Sequence, residues 1–390
     1  MKKSYTLLAT SILLGLTTTS VQAVSLYDYK EAKPSYTDAK VDATFDYKTN
    51  KNNTTLQGQK DSYNLNLNFD YDRVFSNSIR DIEFLGSVAG NSNRTSLGTK
   101  SNSYAGSASA GVFNYFAPNS KGAFVYGSAS VADKKDTSGY YAETYVGAGY
   151  GRVVDATPMS QAMWIVRELR SQGRLTGDVS VTDYQNLARV IAKRDEYEAR
   201  LNRSTANYAE AWVADMANVL NASGKAKGAL DAAAVLRVYD VVENGVFITR
   251  RIGTRVRVGV GSIIKNYDQE SSKPAIQVVA EYHRPISNEW QFSNVATLSG
   301  TVDSDNNGYN LNNVVSFDKQ INAKSTWENS WQANRNKPNS GSATTSNTLS
   351  SGYRYALGNR VSLYSLLSST KATGSKADTS LQAGISYKLR

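Results

Sequence analysis

His283 is the single histidine of this chain, so any Ser-His-acid hydrolase built here would have to use it. No Gly-x-Ser-x-Gly nucleophile elbow accompanies it, and the strand alternation around it brings no activated serine nearby. A structural, lumen-facing role is the expectation for His283. The glycine-rich run Gly147-Ala148-Gly149-Tyr150-Gly151 precedes a helical stretch, as a phosphate loop would. It lacks both the Lys-Ser/Thr pair and the dinucleotide spacing that such loops require. Glycines on one strand parity there are expected to relieve crowding or bend a wall. Asp303-Ser304-Asp305-Asn306-Asn307-Gly308 has the flavour of a calcium loop. It has neither the bidentate Glu at the twelfth position nor flanking helices, and reads as an exposed turn. With no Cys at all, thiolate metal sites, disulfides and cysteine nucleophiles are excluded. The sequence therefore predicts no catalytic residues, no metal, no cofactor and no enzyme.

The strongest remaining constellation is one of charge. Arg251, Arg255 and Arg257 share one parity of a single extended segment. Asp42, Asp46, Asp70 and Asp72 share the inward parity of the first two segments. If those segments are strands of a barrel, the charges must face its interior, because a lipid-facing Arg or Lys costs roughly 2–4 kcal/mol at mid-depth. Arg facing carboxylate across a pore would set ion preference. The alternative is that the two sets pair and merely satisfy the lumen.

The elements that must hold these residues follow from periodicity. Tyr63 to Asp72 alternates apolar odd positions with Asn or Asp at even ones, the signature of a strand with two unlike faces. Val41, Ala43, Phe45 and Tyr47 repeat it, as do Val256, Val258 and Val260, and Leu381, Ala383, Ile385, Tyr387 and Leu389. Segments near 101–116 and 122–132 are rich in Gly, Ala and Ser, and their parity is ambiguous. Fourteen strands are expected, at 36–50, 61–75, 80–95, 101–116, 122–135, 139–154, 248–267, 273–286, 288–304, 308–321, 323–336, 344–358, 360–373 and 376–390. Strands this long with one continuously polar face suit an all-β transmembrane barrel better than a soluble sandwich. The 25 Tyr against 10 Phe suit an oil–water boundary. Girdle positions are expected at Tyr71, Phe75, Phe116, Tyr282, Trp290, Phe317, Tyr353, Tyr355 and Tyr387. Trp327 and Trp331 share a parity expected to face lipid.

Residues 156–246 break this texture with apolar residues at helical spacing. Thr157-Pro158 starts a first helix; Thr182-Asp183-Tyr184-Gln185 reads as a capping box for a second that runs through Leu187 to Leu201. Ser204 or Thr205 caps a third, and a fourth runs through Leu230 to Tyr239. Four amphipathic helices make an inserted all-α bundle. Between 155 and 246 lie 11 basic and 12 acidic residues, so the net +10 of the chain rests almost wholly outside the insert. A bundle of this size has a radius of gyration of about 12 Å. It should sit beneath the opening rather than inside it, as a gate, a docking module for a periplasmic protein, or a plain folded elaboration.

The N-terminus adds an export reading. Lys2 and Lys3, an apolar stretch from Leu7 to Leu16 and Val21-Gln22-Ala23 compose a signal peptide over residues 1–23, cut after Ala23. Residues 24–35 would then be a periplasmic segment. An even strand count returns both ends of the barrel to the periplasm. Export makes anionic lipid, lipopolysaccharide or anionic solutes the natural partners of the positive charge, and argues against nucleic acid.

The last strand carries a family resemblance. Gln382-Ala383-Gly384-Ile385-Ser386-Tyr387-Lys388-Leu389 resembles the C-terminal targeting signal of bacterial outer-membrane β-barrels. It departs from the pattern in ending on Arg390 instead of an aromatic residue. The resemblance implies recognition of Gly384, Tyr387 and Leu389 by the barrel-assembly machinery. It also implies an outer-membrane location. With the polar strand faces and Arg251, Arg255 and Arg257, the expected function is a porin-like channel for small polar solutes with an anion preference. A structural, assembly or export-associated protein whose insert binds a periplasmic partner is the alternative.

Overall fold

The computed structural model describes residues 24–29, 36–48, 61–200, 207–267, 272–302, 308–338, 341–358 and 360–389. The signal-peptide reading, the 50–60 connection, most of the Asp303 turn, the Ser204 and Thr205 caps, Asn359 and Arg390 lie outside them. The first half of the sheet contains β1 (Tyr36–Lys48), β2 (Ser62–Ser76), β3 (Arg80–Arg94), β4 (Lys100–Tyr115), β5 (Ala123–Lys134) and β6 (Tyr141–Gly151). A two-residue β7 (Val154–Asp155) leads into helices α1 (Thr157–Ser171), α2 (Val181–Ile191), α3 (Arg194–Arg200), α4 (Asn207–Ala222) and α5 (Ala232–Asn244). Strands β8 (Arg251–Lys265), β9 (Lys273–Pro285), β10 (Trp290–Thr301) and β11 (Tyr309–Asn322) follow. The sheet is completed by β12 (Ser325–Lys337), β13 (Thr344–Gly358), β14 (Val361–Ala372) and β15 (Asp378–Lys388).

Every strand pairs antiparallel with its neighbour, β6 pairs across the insertion with β8, and β1 pairs with β15. Apart from the short β7 spur on β8, fourteen strands thus form a closed barrel. Closure leaves no edge, which is how a sheet can satisfy its backbone in lipid. The outward side chains are apolar and unburied: Val146, Val258, Leu349 and Leu381 are 63%, 51%, 62% and 74% exposed. Trp327, Trp331, Tyr353, Tyr355 and Tyr387 also lie exposed on that face. Trp290 stacks on Phe317 at 4.6 Å near the short turns, as a girdle residue should. No described helix is long and apolar enough to cross a membrane; the strands are the elements that do.

The inserted bundle has its own core. Met159, Ile165, Leu169, Leu187, Trp212, Met216, Leu220 and Val238 are almost fully buried together. Each such side chain contributes about 1.5–3 kcal/mol of apolar burial. Two local features differ from the expectation. The helix expected to run from Leu187 to Leu201 breaks at Ala192–Lys193, giving five helices in place of about four. The capping box is formed by Ser180 with Asp183, whose side chains bond each other's backbone N–H, and does not begin at Thr182. Ser180 is the residue with extended φ and ψ just before the apolar stripe, the geometry a cap needs. The N-terminal segment also belongs to this core: Leu26 and Tyr29 are buried in it, and Gln185 donates to the Asp28 carbonyl.

Candidate functional site

The chain leaves the barrel at Gly151, whose φ of +97° suits a residue without a Cβ. The next residue fixes where the insert goes. Arg152 is buried and forms an ion pair with Asp81 at 2.7 Å. It also donates to the carbonyls of Ser78 and Asn77 and stacks over Tyr115. The insert is thereby clamped to the β2–β3 turn, at the end of the barrel that carries the short connections. The return segment Gly245–Arg250 crosses the same mouth. Its Val246 N–H donates to the Ala323 carbonyl between β11 and β12. Gln320 accepts from the Ile248 N–H and donates to the Val246 carbonyl. At the β8 end, the Arg250 carbonyl accepts from Ala156, while the Arg250 N–H donates to Thr157 Oγ1. Burial pulls the Arg250 guanidinium down to about 10, with Asp318 and Glu289 opposing that shift. Residues 245–250 therefore form a backbone strap from the β11 wall to the β8 wall.

The bundle is fastened to the barrel turns beside this strap. Glu243, at the end of α5, is buried and accepts from Arg194 at 3.1 Å and from Arg360 in the β13–β14 turn. Arg167 pairs with Glu289 and Lys324 with Asp240, both bridging bundle to barrel turns. Those exposed pairs are worth little; the Glu243 contact is the substantial one. Glu243→Ala is expected to cost about 2 kcal/mol, the scale of hydrogen bonds to charged groups. Thermal melts should show helical signal lost ahead of the barrel's heat-resistant fraction. Unchanged melting of both would show that the latch does not fasten the bundle.

Inside the barrel the two halves differ. On the β4–β9 side, Phe113, Tyr115, Phe124, Tyr126 and Tyr145 form a buried aromatic cluster within the lumen. Glycines make room for it: a Cβ at Gly147 would lie 2.8 Å from Tyr126 Cε1, and one at Gly149 2.9 Å from Phe124 Cε1. The arginines pack on these rings, with Arg255 at 4.4 Å from the Phe113 centroid and Arg257 at 5.5 Å from that of Tyr126. Arg255 is only 5% exposed. It pairs with Glu83 at 3.0 Å and with Glu281 at 2.9 Å, and Arg257 reaches Glu281 at 3.4 Å. Arg251 lies 3.6 Å from Asp72. On the other wall, Asp42 pairs with Arg354 at 3.5 Å. Lys40 lies between Asp42 and Asp70 at 3.8 and 3.5 Å. Asp46 is exposed on β1.

All seven charges singled out from the sequence lie on inward parity. Arg251 does meet an Asp of the predicted wall, but Arg255 and Arg257 are held by glutamates, Glu83 and Glu281. Sequence reasoning missed Glu83, Glu281, Arg152, Asp81, Glu243 and Arg354. Glu281 shares the parity of His283 and could have been found from it; the others depend on which strands the closed barrel brings together. His283 points inward and is 3% exposed. Gly384, Tyr387 and Leu389 lie on or beside the closing strand. Tyr387 pairs with Val41 and the Leu389 N–H bonds the Ala39 carbonyl. Among the described residues no His, Asp or Glu cluster could hold a metal.

The space left by the aromatic cluster divides into cavities with mixed polar and apolar linings that share wall residues. A cavity of about 680 Å³ runs along β1–β6 past Asp70, Asp72, Ser87 and Ser109. It shares Asp38 and Lys40 with a cavity of about 420 Å³ above the strap. A third, of about 380 Å³, adjoins the second through Asp318, Glu328 and Arg354. Below the strap, a cavity of about 170 Å³ touches Phe247 and Thr249 from the bundle side. Higher in the barrel the lining includes amide ladders such as Asn91 to Asn64 and Asn66 and hydroxyl pairs such as Thr348 with Thr370.

No protein-family model matches the chain, and no curated protein does. Among solved structures, a loop-deletion mutant of the outer-membrane protein OmpT of Vibrio cholerae is similar at 8% identity and a TM-score of 0.33, over 92% of this chain and 99% of that one. The β domain of the Bordetella autotransporter BrkA is similar at 9% identity and a TM-score of 0.31, over 91% and 98% of the two chains. OccK3 of Pseudomonas aeruginosa gives 9% identity and a TM-score of 0.31, over 94% and 98%. Likeness so shallow leaves the functional reading to the chain's own residues. On those, the chain is a closed fourteen-stranded antiparallel barrel with an apolar exterior, a polar lumen and a helical bundle fastened across one mouth.

Proposed function

We propose that this protein is an outer-membrane channel for passive passage of small polar solutes, with the helical insert as the gate of its periplasmic mouth. The observation that carries the reading is the series of lumen cavities that share Lys40 in their lining, one of which rests on the strap. Solutes diffuse past hydroxyls, amides and paired charges, which exchange hydrogen bonds with them at little net cost. The aromatic cluster narrows the lumen to one side. Size is thus screened by Phe113 and Tyr126 with their stacked arginines, and charge by the groups left facing the open space. An anion bias is part of the proposal. It draws on the positive surplus of the barrel and on Arg251 and Arg257, because Arg255 is neutralised by two carboxylates. Lipid and lipopolysaccharide surround the barrel, the assembly machinery reads Gly384, Tyr387 and Leu389, and no cofactor or catalytic step is required. Reversal potentials in a salt gradient test the selectivity. A modest anion preference, reduced by Arg257→Gln and unmoved by Arg255→Gln where that variant folds, is the expected result. Cation preference in the unaltered protein would overturn the charge assignment.

A further inference from the structure

The strap uses its two edges differently. On one edge the Val246 N–H donates to the Ala323 carbonyl, the Ile248 N–H to the Gln320 side chain and the Arg250 N–H to Thr157. Bonding at every second residue is the habit of an extended chain, which turns successive residues to opposite sides. Phe247 and Thr249 are therefore turned the other way, and the N–H of neither donates to a described residue. Two cavities border that second edge. Gly245, Phe247 and Thr249 line both the cavity of about 420 Å³ above the strap and the one of about 170 Å³ on the bundle side. Val246 and Ile248 line the upper one alone of these two. From the barrel wall, Asp38 of β1 and Lys388 of β15 line both as well. The lumen and the space over the bundle thus share a border between the strap and the β1–β15 wall.

The fastening of the insert is weakest at the same place. Arg152 grips the β2–β3 turn through Asp81 at 2.7 Å. Ser160 of α1 donates to Asn288 in the β9–β10 turn at 2.7 Å. Gln320 and Ala323 hold the strap to the β11–β12 end, and Glu243 accepts from Arg360 in the β13–β14 turn. Toward β1, the Thr37 hydroxyl donates to Asp195 of α3 at 3.4 Å, longer than the usual O–H···O range of roughly 2.5–3.0 Å. Asp38 and Thr249 are exposed. Segments with few contacts and exposed polar groups open at the lowest cost, so this border parts before the others do.

We propose that solutes leave the lumen through a window between the strap and the β1–β15 wall, bordered by Phe247, Thr249, Asp38 and Lys388. Opening it releases Thr37 from Asp195 and moves the unbonded edge of the strap away from β1. The bonds from the other edge to Gln320, Ala323 and Thr157 stay in place and act as the hinge line. Phe247 packs against the core of the bundle, so a shift of the bundle is passed directly to this edge. Asp38 and Lys388 put one charge of each sign beside the opening. The window therefore screens by size, and charge selection is left to the lumen. The inference rests on the channel reading and names its exit. Thiol labelling registers the window without any current, so either can fail alone.

The chain has no Cys, so single cysteines introduced into the full-length protein report without background. Thr249→Cys and Asp38→Cys each replace an exposed side chain, and the heat-resistant form of each confirms folding first. A bulky, membrane-impermeant thiol reagent should react with both from either face of a reconstituted bilayer and remove most of the current that each variant carries before treatment. Ser109→Cys, in the cavity of about 680 Å³, should lose much less current on complete modification. Full current after complete modification of Thr249→Cys and Asp38→Cys would overturn the window and leave the channel standing with another exit. Reaction from one face only would overturn the window as well. Reaction from both faces with no current in the variants or the unaltered protein would support the window and remove the channel reading.

Discussion

Arg255→Gln should destabilise the barrel by about 3–5 kcal/mol, the cost of breaking a buried charge pair from one side. Removing this guanidinium leaves Glu281 with Arg257 at 3.4 Å and His283 at 3.7 Å, and takes from Glu83 its Arg255 bonds at 3.0 and 3.3 Å. Both carboxylates then face an aromatic cluster instead of water. The loss also removes the stacking on Phe113. Urea midpoints of the folded, heat-resistant form measure it. Adding Glu281→Gln to Arg255→Gln should recover a substantial part of the loss, because the stranded charge is gone; the double-mutant cycle gives the coupling directly. A fully stable Arg255→Gln protein with altered ion selectivity would show that Arg255 faces the open lumen and is not committed to its glutamates.

Gly149→Val should be nearly as damaging. A Cβ at that position comes 2.5 Å from the Val256 carbonyl oxygen of the paired strand and 2.9 Å from Phe124 Cε1. Backbone cannot step aside as a flexible side chain can, so the β6–β8 seam must open or Phe124 must leave the cluster. Overpacking of this kind costs about 3 kcal/mol. The seam is where the barrel closes across the insertion, so misassembly is expected as well as lower stability. Gly90→Ala is the control. Nothing lies within 4 Å of its added Cβ, and the change should stay within about 0.5 kcal/mol. Equal yields of heat-resistant barrel from the two variants would remove the argument that these glycines exist to seat the rings.

The strands were legible because one face meets lipid and the other water, and a period of two records that directly. Tyr63 to Asp72 is β2 to within its ends, and the Val256–Val260 alternation is β8. Legibility faded where both faces are small. In β4, Ser107 and Ala108 lie on opposite sides with little difference in polarity, so composition could not say that Phe113 and Tyr115 turn inward. A lumen is expected to be polar, and large aromatics pointing into one run against that rule; they do so here because inward glycines on β6 and β8 receive them. For the charged residues the sequence offered parity alone, which decides a face and nothing more. Their partners were not legible: Arg255 and Glu83 are far apart in sequence and meet only because the barrel curves β3 toward β8. The bundle's apolar stripes were readable from helical spacing. The break at Lys193 was not, because Arg194, Asp195 and Glu196 continue as good helix surface residues. The strap was invisible for another reason. Gly245–Thr249 has no periodicity, and its role comes from bonds to Gln320 and Ala323 on a wall it never joins.

Single-channel conductance of the refolded protein in a planar bilayer, with and without residues 157–244, tests the gated-lumen account most directly. Deletion removes the bundle and the Thr157 hydroxyl bonded to the strap at Arg250, while the β6–β8 seam keeps its own pairing. The account predicts small or intermittent currents from the full chain and a steady, several-fold larger conductance after deletion. Silence from a folded barrel in both forms, or identical conductance from the two, would contradict it.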